Sequence, residues 1–512
     1  MTNNKYIFIT GTTGLLGAYL LKDLLLTDRA CAVVVRSNRF EKGIQRIENI
    51  LARFESDNKI VLPRPVVLEG DLSEPMFGFS ESEISWVKEH CNTILHNAAS
   101  LLFQVDEKTN EPYRSNVKGT ENVLDFCRET GIRQFHHVST AYICGLRTDK
   151  CFESELDVGQ IFGNDYEKSK VASEKLVRSA SFLNSFTIYR PAIIIGDSQN
   201  GYTSTFHGYY TPLKIVHSFV DTEAIDGSPL LSILGLTGTE RKHFVPVDWV
   251  AAALVHILNN PAKHGKTYHL TPQNPTTCKT TLHVFEKALQ MYHNDNNKKQ
   301  NNRNKKQTTS SNANSNELGI SILGDVFLEQ MEVYKAYWRD DPVFDRTNTE
   351  IALSELPCPE VTPEVLLRLA LFALEKGFGW PKPQPFKPEN WIHDYLYKKT
   401  TDENNQNQNE QLLQQKIVSF EPFGLQVNGR GGGAWTIIYD TINKKLEYQA
   451  GLPTDNKTLV YINSNTFNHI INQRFSFNDA LNSGAIHIEN STESGINTLK
   501  NFLHLIFGDN YK

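Results

Sequence analysis

The chain has 512 residues, more than a single hydrophobic core accommodates, so we expect two or three domains. Its composition, with 39% hydrophobic and 21% charged residues and a formal net charge of −6, gives no electrostatic reason to expect nucleic acid or an anionic membrane as a partner. Seven cysteines without a CxxC pair argue against a disulfide framework or a zinc site and predict a reducing, cytoplasmic location. Neither a signal peptide nor an apolar run of about 20 residues is found, so we predict a soluble chain without a transmembrane segment.

From residue 5 to about 195, short β-branched runs alternate with amphipathic helical stretches. Strands are predicted at Tyr6–Thr10, Ala32–Arg36, Pro65–Gly70, Thr93–His96, Gln134–Ser139 and Phe186–Arg190. Helices are predicted at Leu15–Leu26, Lys42–Phe54, Glu111–Thr130 and Asp165–Ala180. This alternation predicts an α/β fold, a doubly wound parallel sheet with helices on both faces. Farther along, the pattern predicts helices at Val247–Leu258 and Pro363–Lys376 and a strand at Thr267–Leu270.

A glycine-rich turn, TGTTGLLG at residues 10–17, joins the first strand to the first helix. Gly11 permits a tight turn, Gly14 lets the backbone approach a pyrophosphate, and Gly17 allows the helix to pack closely on the sheet. Free N–H groups at the start of the helix bind phosphate. The sequence therefore predicts a Rossmann dinucleotide site, with contacts from Gly11, Thr13, Gly14, Leu15, Leu16 and Gly17.

The second strand ends in a cation rather than an acid. Arg36 stands where an NAD-specific site usually has Asp or Glu, and a guanidinium suits a 2′-phosphate. Arg46 or Arg39 can add a second cation. The predicted cofactor is therefore NADPH.

Asn97, Ala98 and Ala99 follow the fourth strand, where small residues let the chain run beside the cofactor. His96 is expected to be structural rather than a ligand. Because His136 and His137 are adjacent on a strand, their side chains diverge, and no metal site is predicted.

The sequence YEKSK at residues 166–170 places Tyr166 and Lys170 four apart, on one face of a predicted helix. Lys170 is expected to lower the pKa of Tyr166 and to bind the nicotinamide ribose. Tyr166 is then the donor to an oxygen that becomes negative. At the end of the preceding strand, Thr140 is the predicted catalytic hydroxyl, because Ser139 should point to the opposite face.

Together, these motifs resemble an extended short-chain dehydrogenase/reductase over about residues 5–390. The sequence HVSTAY at 137–142 most resembles the thioester reductase and fatty acyl reductase branch, with its male-sterility-type NAD-binding domain. The resemblance implies further cofactor contacts from Asp71, Leu72, Asn116 and Pro191.

The same resemblance implies a reaction. These enzymes reduce an acyl thioester carried by coenzyme A or an acyl carrier protein to an aldehyde, and sometimes to an alcohol. NADPH would deliver hydride to the thioester carbonyl while Thr140 and Tyr166 stabilise the oxyanion. The hemithioacetal would then collapse to an aldehyde and a free thiol.

We predict four regions along the chain: residues 1–275, the NAD(P)-binding Rossmann domain with the start of the substrate region; 276–399, a smaller substrate subdomain; 400–415, a linker; and 416–512, an α+β domain. Within the subdomain, residues 293–316 are rich in Asn, Lys, Gln and Ser and predict a disordered insertion. Its basic residues are not interleaved with aromatic side chains, which argues against nucleic-acid binding. In the C-terminal domain, strands are predicted at 423–427, 431–440 and 458–462, and helices at 466–471 and 495–507.

The C-terminal region resembles a sterol-carrier-protein-2 (SCP2) domain, which implies a lipid- or sterol-binding tunnel. Alternatively, its apolar face is only a core, and the region docks or dimerises. Two other functions remain open for the whole chain: a sterol or hydroxylipid dehydrogenase or sugar-nucleotide epimerase using the same Tyr and Lys, and a non-enzymatic lipid-binding protein that senses NADPH. The presence of both Tyr166 and Lys170 argues against the non-enzymatic alternative.

Overall fold

The structure is a computed structural model. It describes residues 5–27, 29–38, 41–58, 60–219, 231, 236–303, 335–337 and 339–379, and, toward the C-terminus, 422–428, 433–440, 445–453, 458–463, 466–467, 470, 476–482 and 484–489. Its contacts group into two compact units: Met1–Asp23 with Gly70–Pro383, and Leu24–Glu69 with Gln384–Lys512. This grouping differs from the predicted regions, because residues 24–69 group with the C-terminal residues.

The strands are β1 (Tyr6–Thr10), β2 (Cys31–Val35), β3 (Val66–Glu69), β4 (Cys91–His96), β5 (Gln134–Val138), β6 (Ser185–Pro191), β7 (Ile193–Ile195), β8 (Arg241–Lys242), β9 (Phe244–Pro246), β10 (Thr267–Leu270), β11 (Thr276–Thr277), β12 (Phe423–Asn428), β13 (Gly433–Asp440), β14 (Lys445–Ala450), β15 (Leu459–Asn463) and β16 (Ile486–Glu489). The α-helices are α1 (Leu15–Leu26), α2 (Gly43–Asn58), α3 (Glu81–His90), α4 (Gly119–Thr130), α5 (Asp165–Ser179), α6 (Tyr210–Phe219), α7 (Val247–Leu258), α8 (Cys278–Arg303), α9 (Thr347–Ala352), α10 (Pro363–Glu375) and α11 (Phe477–Asn482).

In the first unit, parallel strands follow the order β10-β6-β5-β4-β1. Ile7, Phe8 and Ile9 of β1 are completely buried, as expected for a parallel strand covered on both faces. The bounds of β1, α1, α7 and β10 coincide with the predicted ones. The prediction of a Rossmann-like α/β parallel sheet is confirmed.

A second core in the first unit lies among α6, α8 and α10. Its buried residues include Tyr209, Leu213, Phe285 and Leu369. The helix predicted at Pro363–Lys376 forms as α10, where the Thr362 hydroxyl accepts from the backbone N–H of Val365. Helices α6, α8 and α10 therefore pack around a hydrophobic core of their own.

Two helical predictions need correction. α8 continues to Arg303, so disorder is wrong for residues 293–303, while 304–316 lie outside the described residues. Lys and Gln are good helix formers and can extend a helix that an apolar turn has begun. The helix predicted at 111–130 instead begins with a π-helical turn, Arg114–Lys118, before α4.

Sequence reasoning also missed a helix, α3. Ser80 caps it, accepting from the N–H of Glu83, whose carboxylate accepts from the N–H of Ser80. This capping box has a sequence signature, Ser-x-x-Glu, that could have been recognised.

In the second unit, β2 and β3 pair in parallel, and a five-stranded sheet follows the order β14-β13-β12-β15-β16. Its β12–β15 pair is parallel and its other pairs are antiparallel. With α11 this is an α+β arrangement, although β14 was not predicted. The linker 400–415 and the helix at 495–507 lie outside the described residues, as does part of the helix at 466–471.

The C-terminal sheet packs within its unit on residues of the α2–β3 region. Val61 lies against its apolar core, and Asn463 Nδ2 donates to Glu48 Oε2 at 2.8 Å. Glu48 also accepts from Arg64 Nε at 3.1 Å. The described C-terminal residues are therefore not an isolated module. No helix within the described ranges has the length and apolarity needed to cross a membrane.

Candidate active site

The glycine turn has the geometry that its three roles require. Gly11 has a φ of +74°, and a Cβ there would lie 2.6 Å from the Ala98 backbone. A Cβ on Gly17 would lie 2.0 Å from the Gly11 carbonyl oxygen, so α1 can start this close only with glycine. The nearest atom to a Cβ on Gly14 is that same oxygen at 3.5 Å, which leaves room beside the turn. The turn therefore fits a pyrophosphate approaching the N-terminus of α1.

The carboxyl ends of β1 and β4 are joined by a buried polar network. Thr10 Oγ1 accepts from the backbone N–H groups of Asn97 and Ala98, at 3.2 and 3.1 Å, and contacts His96 Nδ1 at 2.9 Å. Asn97 Nδ2 donates to the Gly11 carbonyl at 3.1 Å. Burial, with Lys170 nearby, lowers the pKa of His96 to about 3, so this imidazole is neutral and structural. Asn97 and Ala98 thus shape the turn itself, and Ala99 next to them is exposed.

Asn116, a predicted cofactor ligand, is 2% exposed, and protein groups occupy its amide. Its Oδ1 accepts from the Ser100 N–H at 2.7 Å, and its Nδ2 donates to Ser169 Oγ at 2.8 Å. These bonds connect the loop after β4 to the catalytic helix α5. They favour a supporting role, in which Asn116 positions neighbours of the cofactor.

Asp71 and Leu72 form the turn after β3 that the resemblance connects with adenine. Asp71 Oδ1 accepts from the N–H and the hydroxyl of Ser73, both at 2.9 Å, and the Leu72 carbonyl accepts from Asn122 Nδ2 at 2.8 Å. Both residues are half-buried. The turn is held by its own hydrogen bonds, and an adenine contact there remains a prediction.

Arg36 and Arg46 form a pair of cations within the second unit. A guanidinium nitrogen of Arg46 donates to the Arg36 carbonyl. Burial, and then the like charge of Arg36, lower the pKa of Arg46, although Glu41 opposes this effect. Two guanidinium charges that act on each other would suit an anion such as a 2′-phosphate. Arg39 lies outside the described residues.

The two hydroxyls predicted to be catalytic lie where β5 ends and α5 begins. Thr140 follows β5 and Tyr166 lies in the first turn of α5, and the Thr140 side chain is near enough to Tyr166 to act on the pKa of its phenol. Ser139 is buried, and its hydroxyl has no hydrogen-bond partner within the described part of the chain. Thr140 is therefore the hydroxyl that faces Tyr166. Pro191 is close, since its carbonyl lies 3.5 Å from Thr140 Oγ1.

Tyr166 does not show the lowered pKa that we expected from Lys170. Burial raises its pKa, which the Thr140 hydrogen bond only partly offsets. Lys170 is 2% exposed, and its Nζ donates to the Val138 carbonyl at 2.8 Å. Burial lowers the pKa of Lys170 to about 8, opposed by the charge of Glu174. The site therefore holds a neutral phenol and, at neutral pH, a charged lysine.

Nothing in the sequence indicated that residues near position 340 contribute to the site. Tyr337 lies beside the site. The centroid of its ring is 5.3 Å from that of Phe103, and the Phe103 centroid is 6.1 Å from that of Tyr166. Asp341 bonds to Tyr142, two residues after Thr140. No motif spacing indicated these long-range contacts. Within the described ranges, no group of three or more His, Cys, Asp and Glu side chains could hold a metal ion.

Comparison with known proteins shows what the first half of the chain is similar to. Residues 9–254 match the family model of the male sterility protein, an NAD-binding family. Nonribosomal peptide synthetase asaC of Aspergillus flavus is 29% identical over 287 residues, covering 52% of this chain and 26% of the synthetase. Fatty acyl-CoA reductase wat of Drosophila melanogaster is 25% identical over 285 residues, covering 49% of this chain and 53% of the reductase. The chain thus spans about a quarter and about half of these two relatives.

A solved structure gives the same result for the fold. The terminal R domain from the myxalamid PKS-NRPS biosynthetic pathway superposes with a TM-score of 0.54 and 24% identity, covering 74% of this chain and 92% of that domain. Residues 9–254 are thus similar to the male sterility family, and the chain shares its fold with the myxalamid R domain.

Proposed function

We propose that the chain is an NADPH-dependent oxidoreductase that reduces acyl thioesters, with long-chain or polyketide acyl groups on coenzyme A or an acyl carrier protein, to an aldehyde or an alcohol. The observation that carries this proposal is the placement of the Thr140 and Tyr166 hydroxyls near each other at the carboxyl edge of the parallel sheet, with Lys170 one turn along α5. Ligands of open α/β sheets bind at this edge. The homology to a fatty acyl-CoA reductase and a nonribosomal peptide synthetase supports a thioester as substrate.

The residues present fit the proposed cofactor. The glycine turn would hold the pyrophosphate, Arg36 and Arg46 the 2′-phosphate, and Lys170 the nicotinamide ribose. When bound, NADPH supplies a hydride. The open side of Gly14, in the first unit, supports the pyrophosphate contact, and the Arg36 and Arg46 guanidinium groups, in the second unit, support the 2′-phosphate contact.

Two O–H groups serve the carbonyl oxygen of the substrate. Because burial raises the pKa of Tyr166, the phenol keeps its proton at neutral pH and can donate to an oxygen that becomes negative. The Thr140 hydroxyl supplies a second donor beside it. Preorganised donors of this kind stabilise an oxyanion without reorganising during the reaction. Lys170, held by the Val138 carbonyl, keeps a positive charge close to this edge.

A screen of substrates tests the proposal. We expect NADPH consumption with acyl thioesters, changing with acyl length, and an aldehyde or alcohol among the products. The same protein should show no comparable activity with sterols, other secondary alcohols or sugar nucleotides in the presence of NADP⁺. Activity confined to those substrates would contradict the proposal and favour the dehydrogenase or epimerase alternative.

For the C-terminal α+β region, two roles compete. The resemblance to an SCP2 domain proposes that it holds a lipid or sterol for the reductase. The docking alternative has an observation in its favour, the buried Asn463–Glu48 hydrogen bond to α2. Calorimetric titration of the full-length chain with palmitate and with cholesterol distinguishes the two, since only the lipid role predicts binding that strengthens by ~0.8 kcal/mol for each added CH₂ group.

A further inference from the structure

Tyr142 is a buried tyrosine with a polar partner far away in the sequence. It lies two residues after Thr140, in the short helix Ala141–Cys144, and is 6% exposed. Its hydroxyl donates to Asp341 Oδ2 at 2.7 Å. A buried phenol that donates to a carboxylate is a charge-assisted hydrogen bond, stronger than a neutral one. The turn that carries Thr140 is therefore hydrogen-bonded, through Tyr142, to a residue 199 positions farther along the chain.

Asp341 is itself held from several sides. Lys242 Nζ donates to its Oδ1 at 2.8 Å, and the His243 backbone N–H donates to its Oδ2 at 3.2 Å. Burial alone would raise the pKa of Asp341, but the hydrogen bond with the His243 side chain, whose Nδ1 lies 3.4 Å from Oδ2, and the charge of Lys242 lower it, so the carboxylate is ionised. An ionised, 4% exposed carboxylate with these fixed partners is a rigid acceptor for the Tyr142 hydroxyl.

The backbone connects this acceptor to the reacting group. The N–H of Tyr142 donates to Thr140 Oγ1 at 3.2 Å. The position of Tyr142 therefore limits the orientations open to the Thr140 hydroxyl, which donates to the Pro191 carbonyl at 3.5 Å and lies near Tyr166. Because Tyr142 is fixed at both its hydroxyl and its N–H, a shift at one end is transmitted to the other.

We propose that Tyr142 and Asp341 are positioning residues for Thr140: the Tyr142–Asp341 hydrogen bond holds the turn that aims the Thr140 hydroxyl at the substrate oxygen. This inference rests on the proposed catalytic role of Thr140. It also gives a role to Asp341, which acts on the reaction only through Tyr142.

A double-mutant cycle in the full-length chain tests the proposal, with the unmodified protein, Tyr142→Phe, Thr140→Val and the double variant. We expect Tyr142→Phe to lower kcat about tenfold, because slight misplacement of a reacting group can cost up to ~100-fold. The KM for the thioester and the Kd for NADPH should not change. Combined with Thr140→Val, the Tyr142→Phe change should cost less than about twofold more, because coupled residues are not additive.

The outcomes separate the two claims. If each single variant lowers kcat and the effects multiply in the double variant, Tyr142 does not act through Thr140 and the inference is overturned. If Thr140→Val alone leaves kcat unchanged, the proposed role of Thr140 fails, and the inference fails with it. An unchanged kcat in Tyr142→Phe overturns the inference and leaves the proposed function intact.

A matched control and a milder variant guard against a trivial loss of folding. Tyr209, in the second core, is equally buried, and its hydroxyl donates to the Leu366 carbonyl at 2.7 Å. Tyr209→Phe loses a hydrogen bond of the same length and should keep its kcat. Asp341→Asn retains shape and acceptor but loses the charge, and should reproduce the kcat loss of Tyr142→Phe with normal NADPH binding. A normal kcat in Asp341→Asn would contradict the role of this carboxylate.

Discussion

Two regions of the molecule bury polar side chains: the proposed catalytic edge of the first unit, formed by Thr140, Tyr166 and Lys170, and the C-terminal sheet of the second unit. Only the first region suggests a reaction. At this edge, Thr140 and Tyr166 lie near each other where a strand ends and a helix begins, and Lys170 donates to the carbonyl of Val138, the last residue of β5. In the C-terminal sheet, the buried Asn463 bonds to Glu48, a second protein group. Several buried polar groups gathered at the carboxyl edge of a parallel sheet are candidates for chemistry, whereas the single Asn463–Glu48 pair is explained by packing within its unit.

The comparison predicts that the greatest loss follows from changing the catalytic edge. Tyr166→Phe removes the proton donor and keeps the ring, so turnover should fall by ~10² to 10⁴-fold, the range of general acid catalysis. NADPH binding, measured by calorimetry, should survive. If this variant kept most of its turnover, Tyr166 would not be the donor.

Thr140→Val tests the second hydroxyl. It keeps the volume of the side chain and removes one oxyanion donor, which typically costs ~10² to 10³-fold in kcat. Ser139→Ala is the matched control, because the Ser139 hydroxyl has no partner in the described part of the chain. We expect initial rates at saturating thioester to drop for Thr140→Val only. Equal losses in both variants would show that the strand end, and not one hydroxyl, matters.

Changes at the two arginines are expected to have a smaller effect, on the preference for NADPH over NADH. A phosphate contact in a partly solvated site contributes about 1–3 kcal/mol, so replacing Arg36 with Asp should erase an NADPH preference of roughly 5- to 150-fold. Arg46→Met should lower it in part. The control is Arg53→Met, farther along α2, which should not change the ratio of NADPH to NADH affinities. Equal affinities in the unmodified protein would refute the assignment of Arg36.

The lowered pKa of Lys170 predicts that kcat/KM for NADPH declines at alkaline pH. Burial brings this pKa to about 8 in the cofactor-free protein, so the charge is present below that pH and lost as the pH rises through it. If the charge binds the ribose, kcat/KM for NADPH should decline above about pH 8, approaching tenfold per pH unit. Because burial moves the pKa of Tyr166 upward, the phenol adds no limb in this range. A profile that is flat from pH 7 to 10 would contradict the role of Lys170.

The smallest effect is expected in the C-terminal sheet. Asn463→Leu leaves Glu48 without one of its two donors, which should cost about 1–3 kcal/mol of unfolding free energy, measured with urea. Activity on short and long thioesters should remain unchanged under the docking role. A changed chain-length profile with normal stability would instead favour the lipid role.

The sequence predicted the glycine turn and the β1 and α1 bounds because each depends on local rules: strand alternation, turn sterics and helix periodicity. It could not predict the Tyr142–Asp341 bond or the Asn463–Glu48 bond, since contacts between residues 199 and 415 positions apart depend on tertiary packing. The pKa of Tyr166 was misjudged for the same reason. Its burial, which no local pattern reports, outweighs the hydrogen bond that lowers it.

The most direct test of the central claim counts free thiol against NADPH. The purified chain is incubated with an acyl thioester and NADPH, and thiol release and NADPH oxidation are followed together. Reduction at a thioester carbonyl predicts one thiol for each NADPH if the product is an aldehyde, and one thiol for every two NADPH if it is an alcohol. Tyr166→Phe, in parallel, should release neither product at a comparable rate. NADPH oxidation without thiol release, or thiol release that does not need NADPH, would contradict the account.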